Sequence, residues 1–124
     1  MALGISLLLA VAVGLVGCDS TESPSLVPGL LPIESVEVMV LESFPPQVRA
    51  QVRGYLPDGC TRLDQVTQNR QGNVITVTLT TLRERDAVCI LRIEIVERTI
   101  ALEGPFAPGE YVLRVNGMER HFRV

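Results

Sequence analysis

Gln47-Val48-Arg49-Ala50-Gln51-Val52-Arg53-Gly54-Tyr55 alternates polar and apolar side chains without a break. Val48, Ala50 and Val52 share one face, and Gln47, Arg49, Gln51 and Arg53 share the other. A period of two is that of a half-buried β-strand, since a helix would mix the two sets around its circumference. The same period recurs on both sides of this stretch. Upstream, Ser35 to Glu42 places Val36, Val38 and Val40 on one face. Pro45-Pro46 forbids helix between the two strands and sets a bend. Downstream, Leu56-Pro57-Asp58-Gly59 is a turn cluster, and Thr61 to Gln68 is a weak strand.

Asn69-Arg70-Gln71-Gly72-Asn73 reads as the next turn. Val74 to Thr81 is rich in β-branched residues, with Ile75, Val77 and Leu79 inward. Leu82 to Asp86 reads as a charged loop. Val88 to Val96 alternates again, which predicts Cys89, Leu91, Ile93 and Ile95 inward. Ile100 and Leu102 mark a short strand, and Gly104 to Gly109 a loop. Glu110 to Val115 and Met118 to Val124 flank Asn116-Gly117, a two-residue hairpin signal. Seven or eight short strands, with no amphipathic helix, predict an all-β chain: an antiparallel β-sandwich over residues 34–124.

The segment Ala107-Pro108-Gly109-Glu110-Tyr111-Val112-Leu113-Arg114-Val115-Asn116-Gly117 resembles the closing strands of bacterial immunoglobulin-like modules. That resemblance implies an immunoglobulin-like sandwich.

The N-terminus reads differently. Ala2 to Gly17 carries no charge, and Ser6 is its only polar side chain. As a helix it would rise about 24 Å, short of a hydrocarbon core of about 30 Å. This is the apolar region of a signal peptide, residues 1–17. It ends in Leu15-Val16-Gly17-Cys18, which resembles the lipobox of bacterial lipoproteins. The resemblance implies diacylglycerol transfer to Cys18, cleavage after Gly17, and a lipid anchor at the extracytoplasmic face of a bacterial cell membrane. Residues 18–33 are rich in Ser, Pro and Gly and read as a flexible tether. Leu26, Val27, Leu30, Leu31 and Ile33 are apolar for such a segment and rest either on the membrane or on the domain. The chain as a whole resembles small uncharacterised bacterial lipoproteins that share its Tyr55 to Thr61 segment and a Cys after Asp86-Ala87-Val88.

Cys60 and Cys89 remain once Cys18 is lipidated. Two thiols in an exported domain predict a disulfide. A metal site needs more ligands than His121, the single His, can add, and C-x-x-C is absent. No metal and no cofactor are expected.

Among the 124 residues all 11 basic side chains are Arg and the net charge is −3, which excludes Lys chemistry and a basic nucleic-acid footprint. A nucleophile for His121 to activate would be Ser35, Ser43 or a Thr, and none of them sits in a catalytic context such as G-x-S-x-G. Glu94 and Glu97 sit among Arg92 and Arg98, a charge-balanced face. Asp58 and Asp64 lack the spacing of a calcium loop.

The chain is therefore read as a non-enzymatic, lipid-anchored binding or structural module of the envelope. The membrane is its first expected partner, and an envelope protein or anionic polymer the second. The alternative is a surface protease inhibitor using Phe44-Pro45-Pro46 or Gly104 to Gly109. Arg49, Gln51 and Arg53 form one polar stripe, either an edge or solvent face kept soluble by charge or a docking stripe for carboxylate or phosphate.

Overall fold

A computed structural model describes residues 4, 11–14, 17 and 25–124. Cys18, most of the expected signal peptide and residues 19–24 lie outside the described residues. Eight strands follow in order: β1 (Leu26–Leu30), β2 (Ile33–Leu41), β3 (Gln47–Leu56), β4 (Arg62–Gln71), β5 (Val74–Glu84), β6 (Glu94–Ala101), β7 (Glu110–Val115) and β8 (Met118–Arg123). The described residues contain no helix.

One sheet has the order β2-β3-β6, antiparallel throughout. In the other, β5 is central and β4 pairs along one of its edges. The opposite edge of β5 is shared. β7 takes Val74 to Val77 in parallel, and β1 takes Thr80 to Glu84 antiparallel. β8 then pairs with β7. The β-sandwich stands as expected, with one correction: the β5–β7 pair is parallel, so the sheets are not antiparallel throughout.

The core lies between the sheets. Val48, Ala50, Val52 and Leu56 of β3 meet Ile75, Val77 and Leu79 of β5 and Tyr111, Leu113 and Val115 of β7. These are the inward phases of strands with a period of two. Each fully buried aliphatic side chain contributes about 1.5–3 kcal/mol relative to exposure. On β6, Arg98 pairs with Val52 and so takes the core-facing phase between Val96 and Ile100, yet it is exposed. β6 ends its sheet, and a charge in that phase disfavours pairing with another sheet edge.

Several local expectations change. The expected tether does not extend to residue 33. Leu26–Leu30 is strand β1, Leu31 is buried in the core, and β2 begins at Ile33. The apolar residues there serve the domain, because β5 offers an unfilled edge that only an extended segment can satisfy. β4 runs on to Gln71, so Asn69 to Gln71 are strand and the turn is left to Gly72 and Asn73, with Gly72 at φ 59°. β5 runs to Glu84, into the expected loop.

The alternation at Val88 to Val96 misleads. Residues 85–93 form no strand, β6 begins at Glu94, and Leu91, Ile93 and Ile95 are exposed. The Cys60–Cys89 bridge and a bond from Gly59 N–H to Ile90 C=O (2.9 Å) hold this segment against the β3–β4 loop. No neighbouring strand is left for it to pair with. Ile100 belongs to the same β6 rather than to a separate short strand, and buried Leu102 follows it, its N–H donating to Val48 C=O.

Candidate functional site

The predicted disulfide is present. Cys60 and Cys89 are joined, with Cα atoms 5.6 Å apart and a sequence separation of 29. Beside it, Asp58 organises the β3–β4 loop. One carboxylate oxygen accepts from Cys60 N–H, Thr61 N–H and the Thr61 hydroxyl, each at 2.9 Å. The other accepts from Arg83 Nε at 3.0 Å. Burial raises the pKa of this carboxyl, but the bonds from Thr61, Cys60 and Arg83 outweigh it and leave Asp58 below its ordinary value. Asp58, Cys60 and Cys89 lie close enough to suggest metal ligands. Both sulfurs are committed to each other, which removes the thiolates such a site needs.

Arg49, Gln51 and Arg53 share one exposed face of β3, and since β3 is the middle strand of its sheet the stripe lies on a solvent face and not an edge. Arg53 is held between Glu34 (3.2 Å) and Glu97 (3.0 Å). Gln51 lies opposite Glu37. The stripe is interleaved with carboxylates rather than set out as a cationic surface.

His121 is exposed on β8 with Glu119 at 3.5 Å. A hollow of about 620 Å³ beside it is lined by Glu110, Tyr111, Val112, His121, Phe122 and Arg123. It offers no Ser, Thr or Cys for a base to activate.

A cleft with a more definite build lies at one end of the sandwich. There β3, β5 and β7 begin and β4, β6 and β8 finish. Its volume is about 420 Å³, and its walls are Pro45 to Arg49 on one side and Ala101, Leu102 and Gly104 to Phe106 on the other. Phe44, next to this wall, is fully exposed, while the Ser43 hydroxyl donates to Pro45 C=O at 2.8 Å and tightens the turn.

The second wall is braced by the opposite sheet. Gln68 donates to Ala101 C=O (2.8 Å) and accepts from Glu103 N–H (3.1 Å). Arg70 donates to the carbonyls of Gly72 (3.0 Å), Glu103 (3.2 Å) and Pro105 (2.7 Å), and its guanidinium lies 4.9 Å from the Phe106 ring centre. The Tyr111 hydroxyl donates to Ala107 C=O at 2.6 Å. A wall held this way loses little freedom when something docks against it.

Sequence reasoning named Phe44-Pro45-Pro46 and Gly104 to Gly109 as separate loops, and the fold brings them together. It missed Gln68 and Arg70. No local signal marks them, because their partners lie 33 and 35 residues away.

Comparison with known proteins agrees with this architecture. Residues 50–124 match the family model described as the ORF11 beta-sandwich domain. An "Uncharacterized 10.2 kDa protein in HgiCIIM 5'region" of Herpetosiphon aurantiacus is 44% identical over 84 residues, 68% of this chain and 89% of its own length. A second protein of that organism, "Uncharacterized 10.2 kDa protein in HgiBIM 5'region", is 40% identical over 74 residues, 60% of this chain and 90% of its own. No solved structure matches.

Proposed function

The chain belongs to the ORF11 beta-sandwich domain family, and from that premise we propose that it is a non-catalytic binding module of the bacterial cell envelope, anchored by lipid on Cys18. The reading is carried by the cleft between Pro45–Arg49 and Ala101–Phe106: it is preformed, largely apolar, and braced from the opposite sheet. The disulfide supports an oxidising, extracytoplasmic compartment. An apolar cleft beside one fully exposed aromatic suits a protein segment better than a polyanion. The carboxylates around Arg53 argue the same way.

The test is capture from the native envelope by the mature chain and by Phe44→Ala. The native chain is expected to retain an envelope protein that the variant loses. Equal capture by both would remove the cleft from the reading. Release of a Cys18→Ser protein from the membrane fraction tests the anchor separately.

One observation favours a second reading, the protease inhibitor. The two loops that would enter a protease form one rim. Stoichiometric inhibition of a protease, with both loops uncut, would select it over general binding.

A further inference from the structure

The two ends of the sandwich are unlike. Opposite the cleft, β3 and β5 finish and β1, β2, β4 and β6 begin. Residues 85–93 close this end. They are pinned by the Cys60–Cys89 bridge, by Gly59 N–H on Ile90 C=O (2.9 Å), and by Arg85 N–H on Ser25 C=O (3.0 Å). From this pinned segment four large aliphatic side chains stand into solvent: Val88 (102% exposed), Ile90 (79%), Leu91 (91%) and Ile93 (67%). Four such side chains within six residues are a patch and not a scatter. Around them Arg85 and Arg92 are offset by Glu84, Asp86 and Glu94, so charge alone draws this end to no surface.

The bond to Ser25 says what lies nearby. Cys18 precedes Ser25 by seven residues, a span of about 25 Å at most when extended. A lipid on Cys18 therefore keeps this end within about 25 Å of the bilayer, a limit it does not set on the cleft end. We propose that Val88, Ile90, Leu91 and Ile93 rest in the interfacial region of the lipid bilayer beside the anchor. The proposal rests on the Cys18 anchor proposed above. The anchor supplies a high local concentration of lipid, and the aliphatic side chains supply the apolar area that interfacial binding scales with. The bridge keeps the segment in place, so docking orders little further chain. With this end in the interface, the ten residues of β3 carry the cleft about 30 Å outward, facing away from the membrane.

The chain offers its own probes. It contains no Trp, and with Cys60 and Cys89 bridged Cys18 is the one remaining cysteine, which a chain made without lipid offers for coupling. All eight strands lie after Cys18, so the chain from Cys18 onward keeps the whole sandwich. Coupling that thiol to a maleimide lipid in phosphatidylcholine vesicles supplies the anchor chemically. Leu91→Trp then reports on the patch, and Gln71→Trp on the cleft end. Brominated acyl chains are expected to quench most of the Leu91→Trp emission and to leave Gln71→Trp unaffected, with the Leu91→Trp spectrum shifted to the blue. Addition of salt is expected to change neither.

Equal quenching of the two reporters, or none, would overturn the proposal. So would a concentration-dependent dimer of the Cys18→Ser chain that Leu91→Asp abolishes, because the occupant would then be a second copy. Mass analysis of the exported protein reads the anchor independently. A Cys18 without lipid would sink the anchor while the reporters still measure whether the patch meets lipid.

Discussion

The Asn116 carboxamide and the Leu79 backbone bond to each other twice: Leu79 N–H donates to Asn116 Oδ1 and Asn116 Nδ2 donates to Leu79 C=O, both at 2.9 Å. The same Nδ2 donates to Leu31 C=O at 2.8 Å, and Leu31 N–H donates to Leu79 C=O at 3.0 Å. Asn116 thus stands where β7 stops and the β1 segment takes over along one edge of β5. Its side chain does the work of a backbone amide in the gap. A residue chosen for a hairpin turn, at φ 45°, also closes the sheet.

Asn116→Ala removes these bonds and leaves the Leu79 N–H unpartnered, at a cost of about 2–3 kcal/mol. Asn116→Gly loses the same bonds but accepts the positive φ, so it should be roughly 1 kcal/mol less harmful than Ala. Urea unfolding of the three proteins checks both statements. Native-like stability in the Gly variant would show that the carboxamide contributes nothing.

The Cys60–Cys89 bridge closes a loop with a sequence separation of 29, for which chain entropy gives about 3–4 kcal/mol. Cys60→Ala with Cys89→Ala should lower the unfolding free energy by that amount. It should also free residues 85–93 from the β3–β4 loop, which limited proteolysis would register as new cuts near Arg85 and Arg92. A double variant as stable as the native protein would refute the estimate.

Asp58 gives a pH dependence of definite sign. Its carboxyl pKa is lowered below 3.8 in the folded chain, against 3.8 for the free group. A depressed carboxyl contributes stability that is complete above the unfolded value and is lost as pH falls through the folded value. The gap in stability between the native chain and Asp58→Asn should therefore be constant near neutrality and shrink below pH 3.8. Denaturant midpoints measured down the acid range decide it; a gap that widens in acid would contradict the assignment.

Gly54 sits where β3 passes the β1–β2 connection. A Cβ at this position would meet the Pro32 carbonyl oxygen and the Leu31 side chain. Tyr55 N–H donates to that same Pro32 carbonyl at 3.1 Å, so the backbone has little room to move away. Gly54→Ala should destabilise the sandwich by about 1–3 kcal/mol through overpacking. Thermal unfolding beside Gly72→Asn, where no atom lies within 4 Å of the added Cβ and Asn tolerates the left-handed conformation, separates crowding from backbone preference.

What the sequence determined by itself is the class of fold and most of its inward faces. Val48, Ala50 and Val52, and Ile75, Val77 and Leu79, are legible because a strand's period of two needs no knowledge of its neighbours. The Cys60–Cys89 pairing was legible only through the expectation that Cys18 is lipidated, which leaves two thiols and one intramolecular choice. Pairing itself is not local. Val88 to Val96 also sets Cys89, Leu91, Ile93 and Ile95 at a period of two, yet its first half is no strand, and the bridge pins it to the β3–β4 loop instead. Leu26 to Leu30, Pro- and Gly-bearing, carries no strand pattern and becomes one because β5 has an edge to fill. The cleft follows the same rule. Its two loops were visible one at a time, but Gln68 and Arg70 bracing one wall, and Asn116 bridging two strands on one edge, depend on residues brought together from far along the chain. Periodicity reports which way a side chain points; only the tertiary structure decides what it meets there.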